Sequence, residues 1–153
     1  ELQYHTKMIN SGRYVNDSMG RYIGKKVVKK IISQGKNILG AHVLVMGMTF
    51  KENVSDIRNS KVADIINEFK DFGAEVDVMD PFASPLEVLQ EYGIRLVERP
   101  GKKYDAVVVA VAHTTYLKLD ESYFMSITNE HAVLADVKGV YRGSIHQMIY
   151  WSL

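Results

Sequence analysis

A chain of 153 residues has room for one well-buried core with an appendage, and 46% hydrophobic with 24% charged residues excludes a mainly disordered protein. The absence of cysteine removes disulfide frameworks, thiolate metal sites and a cysteine nucleophile from these residues. The net charge of +1 conceals an asymmetry, because residues 1–36 hold eight of the nineteen Lys/Arg and two of the eighteen Asp/Glu, leaving eleven against sixteen in the remainder.

The first stretch reads as one helix. Asn16 or Asp17 offers an N-cap, Met19, Ile23, Val27 and Ile31 recur every four residues along one side, and Gly35 supplies a stop. Residues 1–12 give no clear element, and the start reads as a cut end. Lys25, Lys26, Lys29 and Lys30 form a solvated or partner-facing surface; no aromatic or glycine-rich nucleic-acid motif accompanies them, so no nucleic-acid partner is expected.

From Ile38 onward strands and helices alternate. The strands are short apolar runs of the kind buried on both faces of a parallel sheet, at 41–46, 75–79, 95–97, 106–112 and 132–137. Helices fall at 61–72, 85–92 and 120–127, with Gly73 and Gly93 as stops. This order predicts an α/β fold, a Rossmann-like, doubly wound, mainly parallel sheet of five to six strands preceded by a long helix. The longest apolar run, 106–112, is far short of the roughly 20 residues that cross a bilayer, and no signal-peptide pattern opens the chain. A cytoplasmic protein with no membrane partner is expected.

In such sheets ligands collect at the carboxyl ends of the strands, which narrows the search to the turns at 47–60, 80–84, 113–119 and 138–143. The first of these, GMTFKENVSDIRNS, is about twice the usual length of a strand-to-helix connection. Lys51 and Arg58 offer cationic donors, Asp56 can orient one of them, and Asn59 or Ser60 caps a helix whose N-terminus favours anions. The set suits phosphate or pyrophosphate; equally, Asp56 and Arg58 form a local ion pair while Lys51 stays solvated. Neither GxGxxG nor GxxxxGK[ST] is present, which argues against NAD or ATP in this turn.

At the other strand ends Asp80 reads as a turn starter more than as a ribose-binding acid, and His113 as a structural cap more than as a ligand contact. Lys138 is either a surface lysine beside a glycine turn or a partner of Lys51 in an anion site. The remaining histidines lack metal-ligand spacing, no nucleophile elbow is present, and Asp120 and Glu121 read as helix-start residues.

Taken in order and spacing, GMTFKENVSDIRNSK, VDVMDP, YDAVVVAVAH and LADVKGVY resemble the C-terminal domain of the UDP-glucose/GDP-mannose dehydrogenase family over residues 38–145. Upstream, SGRYVNDSM resembles the end of that family's central dimerisation domain. The resemblance implies two regions: 1–36, the end of the helical dimerisation domain, and 37–153, a UDP-sugar-binding domain. It implies an NAD-dependent enzyme that oxidises the C6 alcohol of a nucleotide sugar to a uronic acid for surface polysaccharides. The NAD domain and catalytic cysteine would lie outside this sequence, which alone would be inactive. Substrate contacts carry over to Phe50, Lys51, Asp56, Arg58 and Lys138. Lys138 replaces an arginine frequent in the family, keeping the charge and losing the bidentate fork. Arg13 and Asn16 match an Arg-x-x-Asn motif with subunit or site-edge roles, and a homodimer is implied. The AVAH ending at His113 and the Asp136–Gly139 stretch resemble the branch acting on UDP-N-acetylhexosamines. A different reading makes the chain an assembly module without its own ligand, motivated by the apolar side of Met19 to Ile31.

Overall fold

The computed structural model describes the backbone of residues 2–153 and the side chains of residues 12, 14 and 16 onward. Helix α1 (Leu2–Ser33) leads into strand β1 (His42–Met46), helix α2 (Val62–Asp71), strand β2 (Glu75–Met79) and helix α3 (Pro85–Tyr92). Strand β3 (Tyr104–Val109), a 3-10 turn at Tyr116–Lys118, helix α4 (Glu121–Ser126), and strands β4 (Thr128–Asp136) and β5 (Ile149–Ser152) complete the chain.

The sheet has the order β2-β1-β3-β4-β5, and every pairing is parallel. Side chains alternate across it with the two-residue period of a strand. Val43, Val45, Ala106, Val108, Val133 and Ala135 face a core shared with α1, α2 and Val88 of α3. Leu44, Met46, Val107, Val109 and Leu134 face a second core closed by Tyr116, Phe124 and Tyr141. Both faces are covered, as the continuous apolar runs require.

Three departures from the sequence reading have physical causes. The first helix does not begin at Asn16 or Asp17 but runs unbroken from Leu2. Asp17 does not cap it; its carboxylate takes Lys61 Nζ at 2.7 Å, 44 residues away. The expected strand at 95–97 reduces to one bridge, Val78 with Leu96. The fifth strand is instead β5, reached from β4 through turns alone and seated by Glu121, whose Oε1 accepts the amides of His146, Gln147 and Met148 at 2.8, 2.6 and 3.1 Å.

The apolar stripe of α1 is covered within the chain: Ile23, Val27 and Ile31 are buried, with Met19 packed beside them. This corrects the expectation of an exposed apolar side that motivated the assembly-module reading. Close approach of α1 to α2 is made possible by Gly20 and Gly24. A Cβ at Gly20 would stand 2.7 Å from Asp64 Cβ and 2.8 Å from the Lys61 carbonyl, and one at Gly24 would stand 2.7 Å from Glu68 Cβ. Among the described residues no helix is long and apolar enough to cross a membrane.

Candidate functional site

Strand order reverses between β1 and β3: the chain leaves β1 toward β2 on one side and resumes at β3 on the other. The loops that follow β1 and β3 therefore diverge and leave a crevice at the carboxyl edge of the sheet. Residues 47–60, the long turn singled out above, form one wall.

That loop is held rigidly from below. Gly47, at φ +98°, turns the chain out of β1 and donates its amide to the Met79 carbonyl at 2.8 Å. The next two amides, of Met48 and Thr49, both donate to Asp80 Oδ2, at 2.6 and 3.1 Å. Asp80 Oδ1 accepts the amides of Phe82 and Ala83 at 2.7 and 3.0 Å, and Oδ2 also meets His113 Nε2 at 2.9 Å. Five donors thus surround one carboxylate, whose side chain is fully buried. Burial alone would raise its pKa, but the hydrogen bonds from His113 and from the Met48 and Phe82 amides hold it down, to about 2.

His113 completes the frame. Its Nδ1 accepts the Asn53 amide at 3.0 Å, so the proton sits on Nε2 and points at Asp80. Asn53 itself, at φ +60°, exchanges two side-chain bonds with Thr114, at 2.8 and 2.9 Å. Asp80 is therefore the turn former read from the sequence, and His113 a structural residue: both have their polar atoms directed into the fold. The far end of the loop is anchored by Tyr92, whose hydroxyl donates to the Ile57 carbonyl at 2.5 Å and accepts the Ser60 amide at 3.2 Å. Ser60, not Asn59, receives a helix amide, that of Val62, at 3.3 Å.

With its backbone fixed, the loop presents Phe50 and Lys51 side by side. Phe50 is 60% exposed, and Lys51 is exposed with no ion pair or hydrogen bond from its ammonium among the described residues. Both line a cleft of about 320 Å³. Its other walls come from α1 through Asn16, Met19, Gly20 and Ile23, from the start of α2 through Asn59, Ser60 and Lys61, and from Lys138 after β4. Lys138 Nζ lies 3.9 Å from Glu52 Oε1 across this cleft.

Lys138 is placed by Asp136, which is buried. Asp136 Oδ1 accepts the Gly139 amide at 2.9 Å, while Oδ2 accepts the Tyr141 amide and the Tyr150 hydroxyl, each at 2.7 Å. Burial, together with this bond to Asp136, pushes the Tyr150 phenol up to about 12.

Four of the sequence-derived candidates, Phe50, Lys51, Lys138 and Asn16, thus share one cleft. Asp56 and Arg58 do not join them. Arg58 donates from Nε and Nη2 to the two Asp56 carboxylate oxygens at 3.0 Å each, and the pair lines a separate groove of about 490 Å³ with Glu87, Gln90 and Glu91. The hydrogen bonds from Arg58 hold the Asp56 carboxyl down, to about 2. The Arg13 side chain lies outside the described residues. Glu52, beside the cleft's lysines, was not singled out from the sequence: its partner Lys138 is remote along the chain, and only the fold brings them together. No cluster of His, Asp or Glu among the described residues is arranged to hold a metal ion.

Lysines at a topological switch point suit an anionic ligand, and the sequence around them matches a known family. The UDP binding domain of the UDP-glucose/GDP-mannose dehydrogenase family matches residues 44–143. The chain belongs to this family. Among its family relatives, the UDP-N-acetyl-D-glucosamine 6-dehydrogenase of Pseudomonas aeruginosa is 39% identical over 138 residues, covering 90% of this chain and 33% of that protein. Protein CapL of Staphylococcus aureus is 37% identical over 141 residues, 92% of this chain and 33% of the relative. The solved structure of the UDP-N-acetyl-mannosamine dehydrogenase Cap5O from S. aureus superposes with a TM-score of 0.78 at 25% identity, over 98% of this chain and 34% of that one. The chain spans about a third of the length of the family members it matches.

Proposed function

We propose that the cleft between α1 and the 47–60 loop binds the diphosphate of a UDP-sugar, as the nucleotide-binding part of an NAD-dependent UDP-sugar 6-dehydrogenase. The observation that carries this reading is Lys51, an exposed ammonium without a partner among the described residues, held on a rigid loop at the switch point in the same cleft as Lys138. A charged donor with no internal partner is positioned to pair with an incoming phosphate. Phe50 offers an exposed ring at the cleft edge, and Asn16 closes the edge from α1. The Asp56–Arg58 pair is turned into its own groove, while the Asp56 backbone carbonyl braces the loop by accepting the Phe50 amide at 2.7 Å.

Similarity to enzymes named for UDP-N-acetylhexosamines supports a substrate of that class. In this reading residues 1–36 continue a dimerisation domain and residues 37–153 form the nucleotide-binding domain. NAD and the catalytic cysteine are supplied by residues outside this sequence, the isolated chain leaves the sugar unoxidised, and the parent enzyme works as a homodimer in the cytoplasm. The ligand-free assembly reading has lost its motive, since the stripe from Ile23 to Ile31 is buried internally.

Calorimetric titration with UDP-N-acetylglucosamine tests the proposal. The chain is expected to bind, and Lys51→Ala to weaken binding about 10- to 100-fold, the ~1.5–3 kcal/mol of a hydrogen bond to a charged group. Absence of binding, or equal affinity of the variant, overturns it.

A further inference from the structure

Four charged side chains line the cleft, Lys51, Glu52, Lys61 and Lys138, and their state of pairing differs. Lys61 is held by Asp17 at 2.7 Å, and Lys138 faces Glu52 at 3.9 Å, while Lys51 has no charged partner among the described residues. Counting Asp17 with the four, the set carries one net positive charge, although three lysines surround the cleft. Glu52 is thus the one acidic side chain among the described residues that line the cleft. Unlike Asp17, it sits on the wall that also presents Lys51 and Phe50.

We propose that Glu52 is a specificity-determining residue of this cleft, a counter-charge that selects a diphosphate closed at both ends by ester linkages over one ending in a free phosphate. The inference rests on the UDP-sugar reading of the site. A diphosphate linked to both nucleoside and sugar carries two negative charges, one per phosphate. A nucleoside diphosphate ends in a phosphate monoester with a second ionisation near pH 6, and carries about three at neutral pH. By standing beside Lys138, Glu52 offsets part of the positive charge of the cleft and penalises the third charge. The sugar nucleotide displaces the Glu52 contact from Lys138 at small cost, because a pair this long and half-exposed is weak. Either ligand releases the Glu52 carboxylate from Lys138, and free UDP brings one more negative charge up to it. The cleft therefore resists occupation by sugar-free nucleotide.

The test is a set of titrations of the full 153-residue chain with UDP and with UDP-N-acetylglucosamine, in wild type, Glu52→Gln, Lys138→Gln and the double variant, at low and high salt. Glu52→Gln is expected to tighten UDP about five- to tenfold and UDP-N-acetylglucosamine about twofold. The difference should shrink in half-molar salt, where charges are screened within roughly 4–5 Å, and should fall by at least half in the Lys138→Gln background. A UDP to UDP-N-acetylglucosamine affinity ratio unchanged by Glu52→Gln, with wild-type binding intact, overturns the inference and leaves the proposed function standing. An undiminished gain without Lys138 also overturns it. Failure of wild type to bind either nucleotide overturns the proposed function and the inference together.

Discussion

Substituting alanine at Gly47 is expected to destabilise the fold by about 3 kcal/mol or more. Two costs coincide there. The backbone sits at φ +98°, in a region that L side chains rarely adopt. A Cβ would also stand 2.5 Å from Val111 Cβ and 2.8 Å from its backbone nitrogen, so the β1 and β3 exits would have to part. Neither neighbour can yield, because the Ala110 and Val111 amides both bond to the Met46 carbonyl, at 2.9 and 3.4 Å. Gly93 is the control: it has φ +67° but nothing within 4 Å of its missing Cβ, and Gly93→Ala should cost about 1 kcal/mol. For a domain this size the Gly47 variant should lose roughly 10 °C in Tm. Urea unfolding followed by circular dichroism reads the effect, and a Gly47→Ala protein within about 0.5 kcal/mol of wild type would contradict the close approach of the two loops.

Removal of the Asp80 carboxylate should have an effect of similar size, and a pH signature of its own. Asp80→Ala leaves the Met48 and Thr49 amides, each buried, without an acceptor, and leaves His113 Nε2 only the longer contact to Thr49 Oγ1 at 3.3 Å. Buried donors left unmade cost about 1–3 kcal/mol each, so a loss of roughly 3–5 kcal/mol is expected. The pH dependence follows from linkage. Asp80 is held at about 2 against an ordinary value of 3.8. A carboxyl depressed in the folded state stabilises above its unfolded value, and that stability disappears as pH falls from about 4 to about 2. The amount is roughly 2 kcal/mol. Asp56 titrates in the same window from the surface, so the measurement is the difference between wild type and Asp80→Asn. Unfolding midpoints taken from pH 7 to pH 2 should converge at the acid end; parallel curves would show that Asp80 contributes no such linkage.

Features whose determinants are neighbours in sequence could be read without a structure. Helix α3 lies at 85–92 as expected, because Ser84 accepts the Glu87 amide, Pro85 opens the first turn and Gly93 adopts φ +67°. Asp120 likewise caps α4, its side chain accepting the Tyr123 amide. The Asp56–Arg58 pair, two residues apart, was legible as a local ion pair. Features set by distant partners were not legible in this way. Asp17 looked like an N-cap until Lys61 claimed it. The seating of β5 depends on Glu121 meeting amides about 25 residues on. The same limit applies to the cleft. Lys51 and Lys138 were each visible as cations at a strand end, but the wall contributed by α1 exists only once α1 packs on α2 through Gly20 and Gly24, and Glu52 meets Lys138 only once the loops after β1 and β4 share one sheet edge.

Two grooves flank the 47–60 loop, and the proposed nucleotide site is the one against α1. Amide chemical-shift mapping during titration with UDP-N-acetylglucosamine separates the two most directly. Perturbations are expected at Phe50, Lys51, Asn59, Lys61 and Lys138, which line the α1 cleft, and quiet resonances at Arg58, Glu87, Gln90 and Glu91, which line the other groove. Perturbations confined to the Arg58 groove, or a spectrum unchanged at saturating nucleotide, would contradict it.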